Sequence, residues 1–517
     1  MVQSATADFK TALAKESRKP GIEIHVEGWP VFTVGRGWTV AAAPFPRTPV
    51  FGDPLGFTFG DTNPDTGLPL VFGDSVNDIS PGVLHNVLSI SSWQCGVTPQ
   101  MRVPNVPVVE IVLSHSDGKL ATLPDPMGFA CTIKYNLTSN AFDQITLFSG
   151  KVKSFGEDAV GVTYKLKLED ELALLNKSIF GETMSTELTQ DMGTGDDHMH
   201  VASTEGFPDV GYLFIGEETF HYSAKSVGLF SSLSRPYGTA ITHTTKDKVS
   251  ALYLYNANLR THILRILTST GAGTNGAYDI YPACFGAGYP ANKIDISAIE
   301  SFVPPDGNTG AQLFDFIFWK KTKCAEVLSP MLAALNAFLV RKNNGVLTIV
   351  PDNTPASEKT FTNPYVIDLI QKDRGDQINR IEWESKVQPL DSWSIQTKTT
   401  EDSPMVARDG EYKQVWHLPV LGSWTVTGGG KPYQVPPDIP TDPPSYDDRL
   451  FHIQTAAAYA IGRYKNPPKL YKVNTFFSNT LIELGDGSTI GTDIARIIGR
   501  KVDLMKMQIE LQAIKNV

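Results

Sequence analysis

Short runs in which every second residue is apolar recur along this chain, each closed by glycine, proline or aspartate. Ile22, Ile24 and Val26 alternate with Glu23, His25 and Glu27. Successive side chains on a strand point to opposite faces, so this spacing predicts one buried face and one wet face. Between Val87 and Glu169 several such runs follow one another. The cleanest sets Val160, Val162, Tyr164, Leu166 and Leu168 on one side, and the region reads as a barrel or a sandwich. A second strand-rich block, Met199 to Tyr255, reads as a compact β insertion. The end of the chain predicts a hairpin: Val502 and Leu504, a turn near Met505, then Met507, Ile509 and Leu511.

Helical spacing appears in the middle. Leu328, Met331, Leu332, Leu335, Phe338 and Leu339 repeat at three and four residues, which predicts a helix with a core-facing stripe. Ser329 and Pro330 suit its N-cap and first helical residue, and Asn343, Asn344 and Gly345 suit its stop before the strand GVLTIV. A further helix is predicted over Arg449 to Arg463. Two stretches, 38–80 and 427–448, hold so much proline and glycine that the first reads as a long loop or short hairpins and the second as an extended excursion.

Composition narrows the function. At about 150 residues per domain, 517 residues suffice for three or four domains. Forty-one per cent apolar and 19% charged residues exclude bulk disorder, collagen and a long coiled coil. Forty-five basic against 55 acidic residues give −10, which argues against a sequence-independent grip on nucleic acid, since that rests on neutralising phosphates. Cys95, Cys131, Cys284 and Cys324 lie far apart, so neither a disulfide scaffold nor a zinc ribbon is predicted, and a reducing cytoplasm suits the chain. The first twenty residues lack the apolar stretch of a secretory signal. Leu313 to Trp319 and Met331 to Val340 are shorter than the roughly 20 residues needed to span a bilayer.

Chemical motifs are sparse. Residues 271–276 match G-x-G-x-x-G, but Pro282 and the intervening AYDIY supply no helix start, so a plain loop is read there. Asp196, Asp197, His198 and His200 offer carboxylates and two imidazoles that could hold a divalent metal on one strand face. No further ligand follows at a recognised spacing, and a polar turn entering a strand is the reading. Glu217, Glu218 and His221 resemble an acid/base set in composition only, because neighbours on a strand diverge, and they read as solvent-exposed charges. The cysteines read as small buried hydrophobes, and Phe314, Phe316, Phe318 and Trp319 as core or subunit contact. With no G-x-S-x-G, H-E-x-x-H or P-loop, no catalytic, cofactor-binding or metal residue is assigned. Carboxylates paired across long sequence distances, as in glycoside hydrolysis, leave an enzymatic alternative open.

The order of the pieces carries more than any single motif. Residues 207–217 read FP-x-x-G-x-L-x-IG-E and residues 235–243 read R-x-x-GT-x-x-x-H, with Pro236 replacing a usual glycine. Residues 259–297 run from LRTHILRILTS to KIDIS and are followed by NNGVLTIVP. QITLFSGKVKSFGEDAVGVTYKLKLEDELALL and the closing LIELGDGSTIGTDIARIIGRKVDLMKMQIELQAI complete the set. Together these segments resemble the tail hub (baseplate hub, tail tip hub) proteins of tailed bacteriophages. The resemblance implies an α+β, mainly β, multi-domain fold with two tube-like hub β-barrels, a small β insertion and a helical middle segment. Its expected divisions are 1–85, an N-terminal strand and Pro/Gly-rich loop region; 86–190, the first barrel; 191–258, the insertion; 259–345, a mixed helical segment; and 346–517, the second barrel with the excursion 427–448. It further implies a non-enzymatic virion protein at the phage tail tip, assembled in the host bacterial cytoplasm and without a cofactor. Its expected partners are two further copies of itself, the distal tail ring, the tape measure and a tip or fibre protein, with no specific nucleic-acid binding and no integral membrane segment. A tail-tip enzyme acting on cell-wall or surface polysaccharide, and a carbohydrate-binding tip module built on residues 199–255, stand as alternatives.

Overall fold

The computed structural model describes residues 21–34, 83–84, 87–114, 120, 123–136, 145–157, 163–179, 184–216, 218–237, 240–269, 286–308, 313–318, 321–361, 366–372, 376–386, 395–418, 446–476, 481–504, 506 and 508–515. The stretch 38–80, the glycine motif 271–276, most of the excursion (427–445), Val160, Val162, Glu217, Cys284, Trp319, Met505 and Met507 lie outside the described residues.

Strands dominate, as the alternation requires. Eight form one sheet in the spatial order Val83–Leu84, Val31–Val34, Gly21–Val26, Ala130–Asn136, Ile145–Glu157, Thr163–Asp170, Val108–Ser114, Val87–Ile90. Register shifts between Val87 and Ser89, Ile133 and Lys134, and Val152 and Ser154 add the local bend and twist that curl a sheet on itself. Val31–Val34 thereby approaches Val87–Ile90, and the barrel nearly closes. Ile24, Ile111, Ile133, Tyr164, Leu166 and Leu168 fill its interior. The two N-terminal strands, set apart in the sequence reading at residue 85, belong to this barrel: Gly21–Val26 pairs with Ala130–Asn136 along its whole length. Glu23, expected on a wet face, is buried, because the His25 ring beside it bonds its carboxylate at 2.8 Å.

The insertion is a second sheet, ordered Ser185–Glu187, Lys248–Asn258, Gly211–Ile215, Glu218–Ser226, Leu229–Tyr237, His198–His200. The far half of Lys248–Asn258 leaves it to pair with Leu313–Phe318, with Tyr253 opposite Phe318 and Asn258 opposite Leu313. The Asn258 side chain then accepts from the Thr261 amide and caps the helix Leu259–Thr268.

The middle segment corrects the helix prediction. The helix runs Cys324–Ala334, with Pro330 inside it, and Ser329 donates to the Gln100 carbonyl instead of capping. Pro330 has no N–H for the turn before it; burial of Val327, Leu328, Met331 and Leu332 holds the helix together across that gap. Phe338 and Leu339 belong to a strand, Ala337–Arg341, which forms a hairpin with Leu347–Pro351. Ala337 to Val340 are all buried, and a run apolar at every position satisfies helical and strand spacing alike. Asn343, Asn344 and Gly345 (φ 84°) make the hairpin turn, where glycine adopts the left-handed conformation without strain.

The last sheet is a half-barrel: Ser357–Phe361, Gly487–Ile490, Asp493–Asp503, Gln508–Lys515, Lys469–Phe476, Val366–Lys372. The predicted closing hairpin is present, with Asp503 opposite Gln508 and Val502, Leu504, Ile509 and Leu511 buried. A three-stranded sheet, Ile395–Glu401, Arg380–Lys386 and Lys413–Trp416, packs against the helix Tyr446–Tyr464. That helix starts at Tyr446, within the expected excursion. Among the described residues no helix is long and apolar enough to cross a membrane.

Candidate functional site

The chemistry of this molecule is concentrated where the two barrels meet. Trp93–Gly96 follows the edge of the first barrel and pairs antiparallel with Asp493–Asp503 of the half-barrel, Trp93 opposite Val502 and Gly96 opposite Gly499. The shared strand needs two small residues. A Cβ on Gly96 would stand 3.0 Å from the Ile498 carbonyl oxygen, inside van der Waals contact. Asn105 fixes the strand by accepting from the Gly96 amide at 2.5 Å and donating to the Gln94 carbonyl at 3.2 Å. Trp93 meets Phe148 of the first barrel edge-on, with ring centroids 5.9 Å apart.

Over this strand, three consecutive residues of the central hairpin reach different neighbours. Arg341 pairs with Asp170 of the first barrel at 2.8 Å and donates to the Ser149 carbonyl at 3.2 Å. Lys342 lies 3.3 Å from Glu483 and 3.2 Å from Asp486, both in the loop entering the half-barrel. Asn343 gives its amide to Glu483 at 2.7 Å and accepts from Arg500. Asp170 also caps the 3-10 turn Glu171–Asn176 by accepting from the Leu172 amide. Burial pushes the Asp170 carboxyl up to about 6, outweighing the pull of Arg341. It also raises Glu483 against the opposing charge of Lys342 and lowers Arg500 to about 10. Removing one partner would strand the other charge in low dielectric, so these contacts fix the mutual orientation of the barrels.

A second buried centre sits at the far end of the same hairpin. Asp352 takes Arg102 at 3.1 Å, the Arg463 Nε at 3.1 Å and the Tyr464 hydroxyl at 3.0 Å. Arg102 lies over the Phe338 ring and donates to the Ala337 carbonyl at 3.2 Å. Its φ of 53° is unusual for a non-glycine residue. The conformation is held from both sides, by its amide on the Thr98 carbonyl and by the Leu339 amide on its own carbonyl. Asp352 thus joins the segment after Trp93–Gly96 to the helix Tyr446–Tyr464. None of these charged seam residues was singled out from sequence, and Asn343 was read there only as part of a helix stop. The available signal was a lone charge closing an apolar run, as Arg341 closes Ala337 to Val340 and Asp170 ends the alternation of Tyr164, Leu166 and Leu168.

The sequence candidates fall elsewhere. His198 and His200 share a strand face with ring centroids 5.5 Å apart, and Asp197 bonds His198 at 2.7 Å. Among the described residues no group of three His, Cys, Asp or Glu gathers as a metal site. Glu218, expected to be solvent-exposed, is 1% exposed. It bonds Arg235 at 2.6 Å, His243 at 2.8 Å and the Ile241 amide at 3.3 Å, because the next strand and the following loop bring these groups inward. Arg235 and His243 are the first and last residues of the closing motif at 235–243. His221 packs instead on Tyr212, at 4.8 Å. Cys95, Cys131 and Cys324 are free thiols, each pushed up to about 12 by burial. Phe314 and Phe316 are core, against His452 and His262.

No family model and no curated protein matches the chain. Among solved structures it is similar to a tail protein from Neisseria meningitidis, at 9% identity and a TM-score of 0.36, over 83% of this chain and 96% of that one. It is similar to the prophage tail protein gp18 from Listeria monocytogenes, at 10% identity and a TM-score of 0.34, over 83% and 90%. It is also similar to the 43 kDa tail protein of prophage MuSo2 from Shewanella oneidensis, at 10% identity and a TM-score of 0.38, over 83% and 98%.

Proposed function

We propose that the chain is a structural virion protein, the trimeric hub at the distal end of a phage tail, adapting the tail tube to the tip or fibre and helping to close or open the DNA channel. The observation that carries this reading is the seam: one chain holds a nearly closed barrel and a half-barrel in fixed register through a shared strand and buried charge. A rigid two-barrel unit lets three copies present six similar walls around one axis, and closed rotational symmetry is the usual way such rings are built. The family-like segments of the sequence point the same way. On this reading the insertion, residues 191–258, faces outward from the ring, and the neighbouring tail proteins are its partners. Light scattering across a concentration series tests it. A mass near three times 56.5 kDa is expected, and the mass of a single chain at every concentration overturns the self-assembled trimer.

A further inference from the structure

A pocket of about 260 Å³ opens in the half-barrel where residues 352–355, the last turn of Tyr446–Tyr464, the turn after Gly487–Ile490 and the end of Gln508–Lys515 converge. Its lining mixes apolar side chains, Phe338, Ile494 and Ile514, with the cations Arg463, Arg496 and Lys515. Drug-sized sites run to about 300–1,000 Å³, so the space suits one short group.

The charges around it do not balance. Arg496 is 5% exposed, and it donates to the Gly485 carbonyl at 2.6 Å and to the carbonyl and side-chain oxygens of Asn353 at 2.9 Å. These neutral dipoles occupy its hydrogens without cancelling its charge, and no described carboxylate lies within ion-pair distance of it. Its Nε has no acceptor among the described residues. Burial lowers its pKa from the ordinary value, outweighing the opposing pull of Asp352 and Tyr464, and the neighbouring Arg463 lowers it further. Asp352, in the lining, is shared by Arg102 and Arg463. Asp493, beside the rim, is shared by Lys469 at 2.9 Å and Lys515, and accepts from the Tyr471 hydroxyl. Asp486, the next acid, is held by Lys342. Among the described residues, Arg102, Arg463, Arg496, Lys469 and Lys515 gather around Asp352 and Asp493, with Asp486 shared with Lys342, a local positive excess in a chain of net charge −10. An uncompensated charge in a recess shielded from water attracts an anion far more strongly than one on an open surface.

We propose that this pocket binds a carboxylate carried on a short apolar stem, with Arg463 and Lys515 meeting the oxygens, Arg496 adding its field from beneath, and Ile494 and Ile514 covering the stem. Ile494 is 38% exposed at the rim, so such a ligand would cover apolar surface as well as neutralise charge.

Calorimetric titration of the full chain with hexanoate tests this, with hexanol, propionate and inorganic phosphate as comparison probes. Saturable one-site binding of hexanoate is expected, weaker for propionate and absent for hexanol. Equal binding of hexanol, preference for phosphate over hexanoate, or no saturable binding of hexanoate overturns the proposal. N-acetyl-leucine separates the two sources of such a group: tighter binding than hexanoate supports a polypeptide carboxylate, and weaker binding supports a free acid. Arg496 holds the loop at Gly485, so Lys515→Gln is the variant of choice. It should weaken hexanoate about fivefold, as loss of a rim ion pair does. Lys472→Gln, which breaks the Glu510 pair on the same sheet, should leave the affinity unchanged; equal losses in both variants would overturn the assignment.

Discussion

Asp170 and Glu218 are both buried carboxylates held by an arginine, at 2.8 and 2.6 Å, yet they do different work. The partners of Glu218 lie 17 and 25 positions along the chain and close one small sheet on itself. The partner of Asp170, Arg341, also reaches Ser149 from 192 positions away, and it sits between two barrels. A short-range cluster makes one module rigid. A long-range cluster fixes how two modules stand against each other, so damage to it spreads further.

The two clusters separate most clearly when one charge is removed from each. Arg341→Met leaves Asp170 buried without a countercharge and should cost about 3–5 kcal/mol in chemical unfolding, with hydrogen exchange accelerated in both barrels. Replacing both members, Asp170→Leu with Arg341→Met, should recover most of that loss, because no buried charge is then left unpaired and only the bonds to the Leu172 amide and the Ser149 carbonyl are lost. Glu218→Gln should cost less, about 2–3 kcal/mol for charged hydrogen bonds lost, with faster exchange confined to residues 185–250. Equal spread of the two effects would mean that the insertion and the seam form one cooperative unit, and the distinction would fall.

The same contrast explains what the sequence disclosed. Alternation at Ile22 to Val26, at Tyr164 to Leu168 and in the closing hairpin is set by neighbours one residue apart, and each of these segments is a strand with those residues buried. The insertion was also visible, because its turns are local. The error at Phe338 and Leu339 arose where every residue is apolar and periodicity carries no information. Glu218 was misplaced because a carboxylate on a strand looks wet until the neighbouring strand and the loop after it bring Arg235 and His243 against it. The seam was invisible for the stronger form of that reason: Asp170, Arg341, Glu483 and Arg500 acquire meaning only after segments hundreds of residues apart are brought together.

A titration sharpens the comparison further. Asp170 in the fold holds its proton up to about 6, against about 3.9 for an unfolded aspartate. A carboxyl with a raised folded pKa contributes stability that is complete below the unfolded value and is lost as pH rises through the folded value. The stability of the wild type minus that of Asp170→Asn should therefore fall by roughly 2–3 kcal/mol between pH 4 and 7, at 1.36 kcal/mol per unit. Taking the difference removes the opposite trend of Glu382 and Asp402, which are held low by hydrogen bonds from Lys413 and Lys465. For the same reason the cost of Arg341→Met should shrink at pH 5, where Asp170 can shed its charge. A difference curve that is flat, or that rises with pH, would show that Arg341 governs Asp170 more strongly than burial does.

The smallest effect is expected at the residues that look most like a site on paper. His198 is 53% exposed and its partner Asp197 80% exposed, whereas His243, in the same insertion, is 4% exposed against Glu218. Water screens the first pair and competes for both of its groups, so its geometry, at 2.7 Å, carries little free energy. The second pair has no such competitor. His198→Ala should move the thermal midpoint by less than about 1 °C, as surface substitutions usually do, and added zinc should leave the wild-type midpoint unchanged. His243→Ala, by contrast, should lower it measurably. A zinc-dependent rise that disappears in His198→Ala would make the His198–His200 face a metal site after all, and burial would then be the wrong criterion for telling the working polar groups of this insertion from its exposed ones.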